Sequence, residues 1–214
     1  MNASIANLRQ EYSSQTLLEA SVDKSPISQF DKWWQQAVAS EIVEPNAMTL
    51  ATASADAVPS ARIVLLKGFD DKGFLFFTNY ESQKGRELLQ NPKAALVFFW
   101  KELERQVRIT GTVHKALPEE SDGYYYSRPP GSQIGAWTSP QSQVIESREW
   151  LDQHYLEVTE RYKSEELKRP PFWGGFVLQP FTIEFWQGRP SRLHDRIQYT
   201  LAENNVWQIH RLAP

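Results

Sequence analysis

Apolar and polar positions change their period along the chain. Across 28–42, Phe30, Trp33, Trp34, Ala37, Val38 and Ile42 recur three and four residues apart, which predicts an amphipathic helix closed by Pro45. Upstream, Ile5, Leu8 and Tyr12 share one side of a short helix expected over 4–12, and the Ser-rich stretch 13–27 reads as a loop or arm. Downstream, 48–53, 61–67, 74–79, 93–101 and 106–114 read as strands. Asp70-Asp71-Lys72-Gly73 is a hairpin turn between the second and third. A short helix over 82–90 separates the third and fourth, with Ser82 as N-cap and Asn91-Pro92 as its stop. A second helical region starts at Pro118 and carries Tyr124, Tyr125 and Tyr126. The stretch 127–137 is rich in turn formers and predicts an irregular segment where function concentrates. The longest expected helix spans 144–166, with Leu151, Tyr155, Val158 and Tyr162 at helical spacing and Pro170-Pro171 ending it. Strands over 175–178 with 182–187, 193–201 and 206–212 follow, and Asn204-Asn205 makes the last turn.

Most early strands are joined by connections too short for a parallel crossover, so the sheet is expected to be antiparallel. Mainly β structure with flanking helices (α+β) predicts a closed or partly closed barrel. The expected organisation is an N-terminal arm over 1–27, partly mobile, and one domain over 28–214.

Composition narrows the chemistry. The 214 residues hold no cysteine, which excludes disulfides, thiolate nucleophiles and Cys-based zinc sites. The four histidines, His114, His154, His194 and His210, show no metal-binding spacing, so no metal is expected. With 23 basic and 26 acidic residues the net charge is −3, which argues against a general nucleic-acid binder. No apolar run approaches the ~18 residues of a membrane span, and MNASIANLRQEY lacks the pattern of a secretory signal, so a cytoplasmic location is expected. Neither a GxGxxG nor a P-loop motif occurs, so a phosphate would have to be met by side-chain cations and helix N-termini.

Several cations are placed for that role. Arg62 and Lys67 bracket the apolar run Ile63-Val64-Leu65-Leu66, and Ser82-Gln83-Lys84 opens a helix after a strand. Arg105, Gln106 and Arg108 lie in a strand with Val107, Ile109 and Val113. Each is either a solvated charge or an anion ligand. Arg62 and Lys67 are an odd distance apart, so only a bulge, a strong twist or a strand end would bring both to one ligand. The segment 186–196 gathers Trp186, Arg189, Arg192, His194, Asp195 and Arg196 around a turn. On a regular strand Arg192, His194 and Arg196 share one face, which favours an anion there; a salt-bridged hairpin is the competing reading.

Taken in order, Arg62-Ile63-Val64-Leu65-Leu66-Lys67, Phe77-Thr78-Asn79, Ser82-Gln83-Lys84, Glu104-Arg105-Gln106-Val107, Tyr126-Ser127-Arg128-Pro129, Ser132-Gln133-Ile134-Gly135-Ala136-Trp137, Gln141-Ser142, Phe172-Trp173-Gly174-Gly175, Glu184-Phe185-Trp186-Gln187-Gly188, Arg192-Leu193-His194-Asp195-Arg196 and Arg211-Leu212-Ala213-Pro214 closely resemble the pyridoxine/pyridoxamine 5′-phosphate oxidase family. The likeness runs from Leu8 to Pro214.

That resemblance implies an FMN-binding split β-barrel, a homodimer with FMN at the subunit interface, and oxidation of pyridoxine 5′-phosphate or pyridoxamine 5′-phosphate to pyridoxal 5′-phosphate by dioxygen. By matching motif positions, it implies an FMN set of Arg62, Ile63, Val64, Leu65, Leu66, Lys67, Phe77, Thr78, Gln83, Lys84, Gln106, Gln141, Ser142, Trp186 and Arg196. It implies substrate contacts at Arg9, Tyr12, Lys67, Tyr124, Arg128, Ser132, Arg192 and His194, the last two nearest the chemistry. Two positions depart from the family pattern. Gln83 stands where Arg is usual, which removes a positive charge from the phosphate site, and Phe77 stands where Tyr is common. A split-barrel flavin reductase with another electron donor and a non-catalytic carrier of FMN or pyridoxal 5′-phosphate are the competing functions.

Overall fold

The computed structural model describes Tyr12 and residues 15–214. The helix expected over 4–12 falls, Tyr12 apart, outside the described residues, as does Arg9. Five α-helices are described: α1 (Pro26–Ala39), α2 (Gln83–Gln90), α3 (Pro118–Ser127), α4 (Pro130–Thr138) and α5 (Arg148–Arg161). Nine strands are described: β1 (Ala47–Ala53), β2 (Pro59–Leu65), β3 (Gly68–Asp70), β4 (Gly73–Asn79), β5 (Lys93–Trp100), β6 (Arg105–Lys115), β7 (Trp173–Gln187), β8 (Asp195–Leu201) and β9 (Trp207–Arg211). They order as β2-β1-β5-β6-β7-β4-β3, with β8 pairing β7 and β9 pairing β8. The β3–β4, β4–β7, β7–β8 and β8–β9 registers are all antiparallel.

Packing divides the chain into two compact units. One comprises the described residues up to Leu50, Ala95–Gly111 and Pro180–Pro214; the other comprises Ala51–Ala94 and Thr112–Gln179. In the first, the α1 stripe Phe30, Trp33 and Ala37 is buried. Phe30 meets Phe98 with ring centroids 5.2 Å apart, and Trp33 meets Phe185 edge-on at 5.2 Å. Burial of each such ring contributes about 1.5–3 kcal/mol. In the second, Phe74, Phe76, Phe176 and Leu178 are buried between β4 and β7. Gly174 allows close packing there, since a Cβ would stand 2.1 Å from the Tyr80 hydroxyl.

Four elements differ from expectation by more than two residues, and the short strand β3 was not expected. α1 stops at Ala39, just before Glu41 takes a left-handed backbone, so Ile42 lies outside the helix; Val38, within it, is exposed. The stretch 127–137 is not irregular: Pro130 occupies a first-turn position where its missing N–H costs nothing, and α4 runs to Thr138. α5 starts only at Arg148, where the Ser147 hydroxyl accepts the Trp150 amide at 3.1 Å, and ends at Arg161. Strands 175–178 and 182–187 are one continuous β7. The hairpin turn lies between β3 and β4, with Gly73 at φ +134°.

Candidate functional site

The second unit contains a cleft of 320 Å³ lined by Ile63, Val64, Leu65, Lys67, Phe77, Thr78, Asn79, Lys84, Tyr124, Arg128, Gln141 and Trp173. Ten of these twelve are among the residues that the family resemblance implied; Asn79 and Trp173, though part of the quoted motifs, were given no role, and the cleft brings Lys67, Tyr124 and Arg128 together. A cavity of 230 Å³ shares Asn79, Arg128, Gln141 and Trp173 with it and adds Ser132. A larger hollow of 690 Å³ is lined by the β3–β4 turn and His114–Leu117, far from these residues in type; its acids and bases are mixed and present no convergent charge.

β2 ends at Leu65 and β3 begins at Gly68, so a strand end separates Arg62 from Lys67. Lys67 lines the cleft, and its ammonium stands 5.5 Å from the centre of the Tyr124 ring. Leu66 is buried. Arg62 does not line the cleft. Its guanidinium donates to Thr52, to Ser60 at 2.6 Å and to Glu87 at 3.4 Å. Glu87 also accepts from Thr52 at 2.5 Å, Ser60 at 2.7 Å and Gln83 at 2.9 Å. Burial pushes the Glu87 carboxyl up, but those hydrogen bonds and the Arg62 charge outweigh it and hold it at about 2. Gln83 therefore spends its amide on Glu87, its neighbour one helical turn on.

Lys84 projects from the first turn of α2, whose N-cap Ser82 accepts the Gly85 amide at 3.2 Å. Its ammonium donates to Gln141 at 2.9 Å, Ser82 at 3.1 Å and Thr78 at 3.2 Å. Burial, with the nearby Arg62 charge, lowers its pKa to about 8, against a smaller opposing pull from Glu87. Among the described residues no carboxylate lies within ion-pair distance of Lys84, Lys67 or Arg128. Ser142, beside Gln141, has φ +69° and is exposed.

Phe77, Tyr124 and Trp173 form nearly parallel rings: Phe77 lies 4.1 Å from Tyr124 at 19° and 5.6 Å from Trp173 at 8°. Phe77 thus acts through its ring face. The Arg128 guanidinium lies 4.7 Å from the Trp173 ring centre. Its Nη1 is buried with no hydrogen-bond partner among the described residues. Burial lowers the Arg128 pKa. A half-buried cation that lacks an acceptor is the feature an anionic ligand would complete.

The first unit holds Gln106, Tyr12, Trp186, Arg192, His194 and Arg196. The expected alternation of Arg192, His194 and Arg196 on one strand face is not found. Pro190–Arg192 is a 3₁₀ turn, Ser191 and Arg192 have φ of +57° and +62°, and β8 begins only at Asp195. The competing salt-bridged reading holds for part of the segment. Arg196 pairs with the buried Glu184 at 2.9 and 3.1 Å, and Glu184 also accepts from Arg108 at 3.3 Å. Asp195 pairs with Arg211 at 2.7 Å and Arg189 at 3.5 Å.

His194 Nδ1 accepts the Arg189 amide at 3.1 Å, which places the ring proton on Nε2. Burial and the Arg192 charge lower its pKa, which favours the neutral ring. The His194 ring lies 4.6 Å from Trp186, and Tyr12 lies 5.8 Å from Trp186 and 6.1 Å from His194. Gly188 permits this contact, because a Cβ there would stand 2.7 Å from the Tyr12 Cβ.

Glu87 was not singled out in the sequence, and Glu184, though part of a quoted motif, was given no role. The only signal was spacing: Glu87 stands four residues after Gln83, and Glu184 shares strand parity with Trp186.

A family model described as pyridoxamine 5′-phosphate oxidase matches residues 34–162. A second, described as the pyridoxine 5′-phosphate oxidase C-terminal dimerisation region, matches residues 173–214. A pyridoxine/pyridoxamine 5′-phosphate oxidase of Trichormus variabilis is 56% identical over 214 residues, covering 100% of both chains. One from Paraburkholderia phymatum is 58% identical over 212 residues, covering 99% of this chain and 100% of its own. Among solved structures, PhzG from Burkholderia lata, in complex with tetrahydrophenazine-1-carboxylic acid, has a TM-score of 0.87 at 31% identity, covering 94% of this chain and 100% of its own. A pyridoxamine 5′-phosphate oxidase-related, FMN-binding protein of Nostoc punctiforme shares the fold, with a TM-score of 0.71 at 16% identity, covering 89% of this chain and 98% of its own. The architecture is accordingly the antiparallel split barrel, and the chain belongs to the pyridoxamine 5′-phosphate oxidase family.

Proposed function

We propose that this protein is an FMN-dependent oxidase of the B6 vitamers. It converts pyridoxine 5′-phosphate and dioxygen to pyridoxal 5′-phosphate and hydrogen peroxide. With pyridoxamine 5′-phosphate, water is also consumed and ammonia released. The observation that carries this reading is the buried, unpartnered Nη1 of Arg128 in a cleft whose other cations also lack carboxylates. Relatives at 56–58% identity named for this activity support it.

The donor set of the cleft fits a phosphorylated flavin. Lys84, with Thr78, Ser82 and Gln141 around its ammonium, would hold the cofactor phosphate, while Arg62, fixed by Glu87, adds positive potential. FMN, when bound, supplies the two-electron acceptor for hydride removal from the substrate C4′ carbon. Lys67, Tyr124, Arg128 and Ser132 would clamp the substrate phosphate. Neutral His194 offers an Nε2–H donor, and exposed Arg192 offers a guanidinium to the pyridine ring. Orientation rather than a strong general base is then the protein's contribution. Because Trp186, Arg192, His194 and Arg196 lie in the segment matched as a dimerisation region, we place them at a homodimer interface that completes each flavin site. A cytoplasmic location belongs to the same reading.

The test is steady-state turnover with both phosphorylated substrates and with unphosphorylated pyridoxine. Oxidation of the phosphorylated forms is expected, with Arg128→Ala raising KM about 10–100-fold, as loss of a charge-assisted phosphate contact should. Equal turnover of pyridoxine and its phosphate would defeat the assignment of the clamp. Turnover of a fused-ring carboxylate instead would favour chemistry nearer that of the PhzG relative.

A further inference from the structure

Arg105 is only 3% exposed, and among the described residues no carboxylate lies within ion-pair distance. Strand alternation explains the burial: Arg105 shares the inward face of β6 with Val107 and Ile109, while Gln106 and Arg108 occupy the other. A buried guanidinium without a counter-charge is costly to keep, and side chains maintain it only when its donors are filled. Three glutamines give each of its three nitrogens an acceptor. Nε donates to Gln187 at 2.9 Å, and the two terminal nitrogens donate to Gln36 and Gln15. The Trp33 ring covers the group, with its centre 4.3 Å from the guanidinium carbon. Burial lowers its pKa to about 10, so it remains charged at neutral pH.

These partners come from three separate segments. Gln36 lies on α1, and Gln187 is the last residue of β7, next to Trp186. Gln187 is itself buried and donates to the Leu103 and Glu104 carbonyls at 3.2 Å, while Gly188 donates to Glu104 at 2.8 Å. Gln15 lies three residues after Tyr12, whose ring meets Trp186 and His194. Nearby contacts hold the same stretch: the Leu17 amide donates to Asp195 at 3.0 Å, and Arg189 donates to the Gln15 carbonyl at 3.2 Å.

We propose that Arg105 is a positioning residue whose planar guanidinium fastens the chain at Gln15 to the end of β7 at Gln187, holding Tyr12 against Trp186 and His194. Lysine cannot substitute, because a single ammonium on a flexible stem does not span three divergent acceptors. The consequence for catalysis rests on the substrate-facing role proposed for His194; the clamp itself does not.

The experiment compares the full-length, FMN-loaded protein with Arg105→Lys, Gln15→Ala and Gln15→Glu. Amide hydrogen exchange is followed in a peptide covering 15–22, with 73–79 as an internal control. Arg105→Lys and Gln15→Ala should speed exchange in 15–22 about tenfold and leave 73–79 unchanged. They should raise KM for pyridoxine 5′-phosphate about 5–20-fold while kcat stays within about twofold. Gln15→Glu, which brings a carboxylate to the guanidinium, should retain wild-type exchange and KM. Unchanged exchange in 15–22 for both disrupting variants would overturn the proposal. So would a fall in kcat and in Tm with KM unmoved, since that marks a mere core prop. If the wild type turns over no B6 phosphate, the proposed function fails, and the exchange result still decides the clamp.

Discussion

In the unit built from Ala51–Ala94 and Thr112–Gln179, Lys84, Lys67 and Arg128 converge on one cleft and meet only hydroxyls, amides and ring faces. In the other unit, Arg196, Arg108, Arg189 and Arg211 are each met by a carboxylate from Glu184, Asp195 or Glu19. Both regions looked alike in sequence, as arginines and lysines clustered near turns. The difference lies in what has already been neutralised. Paired guanidiniums hold strands together, whereas unpaired ones leave potential for a ligand. Arg105 belongs to neither kind, being buried and satisfied by neutral amides alone.

The largest effect should come from breaking a paired cation. Glu184→Ala leaves Arg196 and Arg108 without their buried counter-charge and should cost about 3 kcal/mol of stability, read by urea unfolding of the apo protein. A loss below about 0.5 kcal/mol would place that network with ordinary surface pairs. Removing a cleft cation should act in the opposite sense. Lys84→Met should weaken FMN binding about 30-fold, by flavin fluorescence titration, while the apo midpoint holds or rises because a desolvated charge is gone. A destabilised apo variant would mean that Lys84 is structural after all.

Proton linkage sharpens the contrast further. The Lys84 pKa is about 8 in the free protein, and a bound phosphate dianion would raise it. Binding then takes up a proton above pH 8, so FMN affinity should be flat below that pH and fall about fivefold from pH 8 to about 9. For the apo protein the sign is reversed. A lysine with a depressed folded pKa is a cost that is fully present below about 8 and relieved as pH rises toward its unfolded value of 10.5. A pH-independent dissociation constant would remove Lys84 from the phosphate site. The smallest effect is expected at position 83. Gln83→Arg should tighten FMN binding only about 2–3-fold, because the new guanidinium would first engage Glu87, where the Gln83 amide now lies.

The strands and α2 with its Ser82 cap were readable because each depends on local period or capping, whereas the residues of the cleft were named only through the family resemblance. β4 is an instance: 74–77 is a short apolar run bounded by the Asp70–Gly73 turn and Asn79, and β4 places Phe77 and Thr78 opposite Gly175 and Gly174. What escaped depends on tertiary context. Pro129-Pro130 reads as a loop until Tyr125, whose hydroxyl donates to the Gln133 carbonyl at 3.0 Å, fixes α4 in place. The parity argument for Arg192, His194 and Arg196 assumed a strand where two left-handed residues make a turn. Whether Arg62 or Arg196 is free or paired turns on Glu87 and Glu184, distant in sequence by 25 and 12 residues. No residue pattern within one segment carries that information.

One measurement bears most directly on the cleft as the meeting place of a phosphorylated flavin and a phosphorylated pyridine. The FMN-loaded protein is made anaerobic, pyridoxine 5′-phosphate is added, and the visible flavin absorption is followed before and after air is admitted. Bleaching that recovers in air, and is slowed at subsaturating substrate by Arg128→Ala, is the expected result. A flavin band that persists with both pyridoxine 5′-phosphate and pyridoxamine 5′-phosphate would contradict the oxidase assignment and leave a flavin carrier or a reductase with another donor.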